Sequence, residues 1–230
     1  LIFKKIVIVF FVLLSFNCFA LDQSKVSKGI ASVNKAIITA KNNLNKEQVY
    51  SRAYPERLIS KAFPNSIIHK LLVVENTSKS EITPQGLSCL YDHIGKNGFA
   101  KLSLKKSNKN AQGVMQITKN AFDYVRPLYK KAEIKNNFAS AVKSPVTSAK
   151  VAMLFVDSAL AALGPIERVK VMKNDLLFHD YIATAYNGGI TYAMKLLRSD
   201  GNFIQGEKIE TREYVAKMRL ARITVLTQNS

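Results

Sequence analysis

The stretch HKLLVVENTSKSE, His69 to Glu81, decides how this chain is read. Ile68, Leu71 and Leu72 recur at helical spacing, and the next position on that face is Glu75. A glutamate near the end of a helix can swing to solvent or pair with a lysine. Held against apolar groups, a carboxyl loses hydration, its pKa rises, and it can serve as a general acid. Position alone leaves both readings open.

Helical patterns dominate outward from this stretch. Val26, Ile30, Val33, Ile37, Ala40 and Leu44 alternate steps of four and three, the stripe of a long leading helix. That stripe packs on the main domain or pairs with another chain as a short coiled coil. Pro55 and Pro64 punctuate the segment after it, and Asn65 or Ser66 is placed to cap the helix that carries Glu75. Between Thr77 and Gln112 the pattern loosens around Pro84, Gly86, Gly95 and Gly98, so any sheet is expected there. The basic run LKKSNKN, Leu104 to Asn110, reads as a solvated loop.

Helices are then expected to resume with Thr118 as a cap and with Ser144–Pro145 as a cap and first-turn pair. Gly164 is expected to close the VAMLFVDSALAAL segment. Two more patterns run to Gly188 and Gly201, and a last one spans about Thr211 to Leu226. No fixed-period repeat is present. The chain therefore reads as mainly α.

Residues 1–20 read as a secretory signal peptide: Lys4 and Lys5 precede an apolar run, Ile6 to Leu14, and a small Ala20 offers a cleavage point. Asn17 is bulky where a small residue would precede a lipidated Cys18. The chain is thus expected to be exported to a periplasm or cell envelope, or secreted. The net charge is +18, and +16 after residue 20, since the leader carries two lysines and no acid. Such an excess suits an anionic surface, and export disfavours nucleic acid as the partner. With the leader removed, Cys89 is the single cysteine, so no intramolecular disulfide is expected. At 47% hydrophobic residues, core packing has ample material to supply the stability. His69, His93 and His179 show no metal-ligand spacing, so neither a metal nor a cofactor is expected.

Three later motifs bear on Glu75. AQGVMQIT (Ala111–Thr118), ATAYNGG (Ala183–Gly189) and ETREYV (Glu210–Val215) come after it in that order. With Glu75 they resemble the signatures of the soluble lytic transglycosylases, goose-lysozyme-like enzymes that cleave peptidoglycan. Each motif alone is weak; four in order are specific. The resemblance covers residues 63–222 and implies a domain over 63–226, preceded by a helical extension over 21–62. The implied fold is a helical bundle of the α+β lysozyme-like superfamily around a sugar-binding cleft, with a small irregular or β-containing insertion.

Residue by residue, the resemblance implies that Glu75 is the catalytic acid. Gly113, Met115 and Gln116 would form the turn and wall beside the sugar, where a glycine lets backbone approach a ligand closely. Tyr186 and Asn187 match the family's Tyr-Asn pair, with the tyrosine hydroxyl near the acid. Glu210 and Tyr214 match residues lining the far side of the cleft. Each also has a plain fold role: Met115 as core filler, Tyr186 as a buried tyrosine, Asn187 at a helix end, Glu210 as a helix N-terminal acid. The implied partner is the peptidoglycan glycan strand, cut between N-acetylmuramic acid and N-acetylglucosamine. Two rival readings stand beside it: a hydrolase with Glu81 or Asp92 as second carboxylate, and a non-catalytic envelope module that binds the same polymer.

The chain departs from the family in two places. Asn76 replaces the serine that usually comes next after the glutamate. The gap from Glu75 to Gly113 is long, an insertion around SCLYDHIGKNGFAKL expected to be a loop that covers or extends the cleft.

Overall fold

The computed structural model describes residues 21–103, 110–199, 201–206 and 208–227; the leader and most of the LKKSNKN run lie outside them. Twelve α-helices occur among the described residues: α1 (Gln23–Lys46), α2 (Ile59–Ala62), α3 (Asn65–Asn76), α4 (Pro84–Asn97), α5 (Ala100–Ser103), α6 (Lys119–Leu128), α7 (Phe138–Lys143), α8 (Pro145–Ala161), α9 (Pro165–Lys173), α10 (Asp175–Gly188), α11 (Ile190–Ser199) and α12 (Ile209–Thr227). No sheet forms among the described residues. Extended pairing there is confined to the isolated bridges Tyr50–Leu58 and Gln112–Ile117.

The leading stripe is buried as expected: Val26, Val33, Ile37, Ala40 and Leu44 face inward on α1, which packs on α4 and α8. Asp22 caps its first turn, its carboxylate accepting from the Ser24 amide at 2.9 Å. At the centre stands α8, with every residue from Ser148 to Leu160 buried. Ser144 caps it by accepting from the Thr147 amide at 3.2 Å, ahead of Pro145, and Thr118 caps α6 in the same way.

The stretch expected to be irregular or β-containing is mostly helical where described. Thr83 caps α4, Pro84 opens it, and the segment expected as a cleft-covering loop packs on α1. Its glycines mislead because a glycine inside a helix also serves close helix contact. A Cβ on Gly95 would lie 1.9 Å from the Lys25 carbonyl oxygen, and one on Gly29 would lie 1.9 Å from that of Tyr91. Two boundaries also shift. Gly164 stands at the N-cap of α9 rather than closing α8, and α3 begins at Asn65 after an extended Pro64. Cys89 is disulfide-bonded, its partner outside the described residues; the expectation of no disulfide takes Cys18 to be gone with the leader.

A buried carboxylate ties the segment between α1 and α2 to α8. Asp157, wholly buried, accepts from the Arg52 amide and the Tyr129 hydroxyl, each at 2.7 Å, and from the Ser51 hydroxyl. Nearby, the buried Lys150 and the partly buried Glu47 form an ion pair at 2.5 Å between α8 and the end of α1. Charges taken out of water in this way need such partners.

Candidate active site

Glu75 sits one residue from the end of α3, partly buried, after a run from Ile67 to Val74 that is buried throughout. The Tyr214 hydroxyl, from the second turn of α12, donates to Glu75 Oε1 at 2.7 Å. Burial, reinforced by the Glu75 charge, holds the Tyr214 phenol well above its ordinary pKa, so it remains a donor at neutral pH. Lys217, three residues on, donates to the Val74 carbonyl and fastens α12 to the end of α3.

The glutamine turn lies beside this pair. Gly113 has φ 76° and Gln116 φ 45°, and the bridge between Gln112 and Ile117 closes the turn. The Gln116 amide and its backbone N–H both donate to the Gly113 carbonyl, at 2.9 and 3.0 Å. Packing by itself requires a glycine at 113. A Cβ there would lie 2.1 Å from the Val142 carbonyl oxygen and 2.7 Å from Ser148 Oγ, so its bare backbone serves packing. Met115 is 1% exposed and supplies a carbonyl instead of a wall beside the sugar.

That carbonyl accepts from the Tyr186 hydroxyl at 2.7 Å. The Tyr186 hydroxyl is thus engaged with a backbone carbonyl, while Tyr214, expected on the far wall, makes a direct contact with Glu75. The two tyrosine rings are stacked, with centroids 6.4 Å apart and planes 18° from parallel, and Phe155 of α8 meets Tyr186 edge-on at 5.4 Å. Burial pushes the Tyr186 phenol well above its ordinary pKa, and the Glu75 charge adds to the effect.

Asn187 accepts from the Thr211 hydroxyl at 3.0 Å, joining the end of α10 to the start of α12. Glu210 stands exposed in the first turn of α12, on the face of Tyr214 four residues later, where an acid suits the helix N-terminus. Gln116, Thr118, Phe155 and Tyr186 are among the residues lining a small pocket. A larger groove, lined by Tyr50, Arg52, Lys130 and Lys131 among others, contains none of the motif residues.

Sequence reasoning misses three contributors: Asn76, Thr211 and Lys217. Thr211 lies inside the ETREYV motif, and Lys217 shares a helix face with Tyr214, so spacing carries a signal for both. Asn76 stands out in the sequence only as a departure from the family. The two acids considered as second carboxylates are engaged elsewhere. Glu81 accepts from the Ser78 amide at 2.6 Å in a capping box, and Asp92 pairs with Lys96 at 2.7 Å. The buried histidines are also engaged, His69 with the Tyr91 hydroxyl at 2.7 Å and His179 with the Lys70 ammonium at 2.9 Å.

Compared with protein-family models, curated proteins and solved structures, the chain matches none. Within the chain, the four motifs meet: Asn76 bonds the Val114 carbonyl, Tyr186 that of Met115, Thr211 bonds Asn187, and Tyr214 bonds Glu75.

Proposed function

We propose that this protein is an exported peptidoglycan lytic transglycosylase with Glu75 as its single acid and base. One observation carries the reading: four motifs, whose ends at Glu75 and Tyr214 lie 139 positions apart, are joined by a chain of side-chain hydrogen bonds around one partly buried carboxyl. Each motif is weak alone. Their convergence on an acid at the end of an apolar helix is what a shared site requires.

The chemistry follows from the carboxyl's surroundings. The Tyr214 hydroxyl, donating to Oε1, positions the carboxyl, and Glu75 carries the acid proton. That proton passes to the glycosidic oxygen between N-acetylmuramic acid and N-acetylglucosamine as the bond from C1 to that oxygen breaks. The substrate's acetamido carbonyl closes on C1 and takes up the positive charge. Glu75, now ionised and stabilised by the Tyr214 hydrogen bond, removes the proton of the 6-hydroxyl. The 6-oxygen displaces the acetamido oxygen from C1, leaving a 1,6-anhydro ring and consuming no water. An ordinary glycosidase needs a second carboxylate. The two considered for that role are held in a helix cap and an ion pair, which favours the one-carboxylate route.

Mass spectrometry of the sugars released from purified sacculi tests the proposal. Anhydro ends, lighter than reducing ends by one water, are expected. Reducing ends would indicate hydrolysis, and binding without release would indicate the non-catalytic module.

A further inference from the structure

Asn76 comes directly after Glu75 and is 3% exposed. Its Nδ2 donates to the Leu72 carbonyl at 2.7 Å, one turn back in α3, and to the Val114 carbonyl at 2.8 Å, in the glutamine turn. Both partners are acceptors, so the amide must offer them its nitrogen, two hydrogens for two oxygens. A serine has one hydroxyl hydrogen, and in a helix it commonly goes to the carbonyl four residues back. That choice would leave Val114 without its donor. Aspartate has no hydrogen to give when ionised, and leucine of similar shape has none at all. The orientation also has a cost, because Oδ1 is left buried with no hydrogen-bond partner among the described residues.

We propose that Asn76 is the positioning residue of the site: by fastening the Val114 carbonyl to the end of α3, it sets the neighbouring Met115 carbonyl on which Tyr186 rests, and through the stacked rings the place of Tyr214 against Glu75. The activity readout of this proposal rests on the transglycosylase reading; the geometry does not. Asn76 touches no reacting atom. It acts by joining the helix that carries the acid to the turn that supports the tyrosines.

The test uses the full chain with Asn76→Ser, Tyr186→Phe and the double variant, together with Asn76→Asp. Circular dichroism at the assay temperature checks that each is folded. The expected result for Asn76→Ser is a kcat for muropeptide release lowered about tenfold, the worth of one hydrogen bond, with KM unchanged. Asn76→Asp should lose at least as much. The double variant should lose no more than the larger single loss, because both residues act through the same turn. An Asn76→Ser variant with unchanged kcat, or losses that multiply in the double variant, would overturn the proposal.

Ring NMR signals of Tyr186 and Tyr214, assigned with their Phe variants, separate this proposal from the function it builds on. The two rings are stacked in the wild type, and their chemical shifts should move in Asn76→Ser, which loosens the turn on which Tyr186 rests. If the wild type releases nothing, the transglycosylase reading fails. The ring signals then decide alone, unchanged shifts in Asn76→Ser overturning the positioning role.

Discussion

The rings of Tyr186 and Tyr214 lie nearly parallel, 18° apart, yet their hydroxyls serve different partners: Tyr214 the Glu75 carboxylate, Tyr186 the Met115 carbonyl. One phenol acts on the acid, and the other braces the first. Tyr214→Phe is therefore expected to cost more in kcat than Tyr186→Phe, on the order of 10-fold to 100-fold for the loss of a hydrogen bond to a charged group. Steady-state kinetics of the two variants on one sacculus preparation check the order.

Removing the acid is the sharper experiment. Glu75→Gln keeps the shape and can still accept from Tyr214, but it has no proton to donate to a leaving group. Release of muropeptides should disappear while the helical circular dichroism stays as in the wild type. Retained release would sink the assignment of Glu75.

Gly113→Ala should be destabilising whatever the substrate. The backbone has a positive φ, and the new methyl would meet the Val142 carbonyl and Ser148 hydroxyl. A loss of about 3 kcal/mol is expected from strain and overlap together. Urea denaturation measures it, and a loss under about 1 kcal/mol would show that the turn relaxes freely.

Asp157→Ala is expected to cost about 3 kcal/mol or more, because Ser51, the Arg52 amide and Tyr129 lose a shared acceptor inside the protein. The test is equilibrium unfolding of the variant beside the wild type. Asp157→Asn, which retains one acceptor oxygen, should lie between them.

Acid should weaken the fold through His69. Burial pushes this imidazole down from 6.5 to about 4, with the nearby Lys70 charge adding to the effect. The unfolded chain then binds a proton that the folded chain refuses, so stability falls as pH drops through 6.5 and continues falling toward 4. The full effect of this group is about 3 kcal/mol. His179, also lowered by burial, acts in the same direction. Denaturant midpoints measured from pH 7 to pH 4 should decline, and His69→Gln should flatten the decline.

Much of this architecture is legible in the chain itself. The α1 stripe, the caps at Thr118 and Ser144 and the apolar face leading to Glu75 follow from local periodicity and from side chains that bond their own backbone. The α4 region misleads because its glycines carry the same local signal whether they break a helix or let another helix approach. The partner that decides, α1, lies about sixty residues earlier in the chain.

By itself, the sequence determined that the protein is mainly helical and that Glu75 ends an apolar helix, since both depend on neighbours within one or two turns. It also set the order of four short motifs. Only the tertiary structure decided which atoms of those motifs meet. It gave Tyr214 to the acid, made the Met115 carbonyl more useful than its side chain, and turned Asn76 from a departure into a clamp. The pairings between motifs join residues 24 to 139 positions apart, and hydrogen-bond geometry at that separation is set by how helices pack rather than by local sequence.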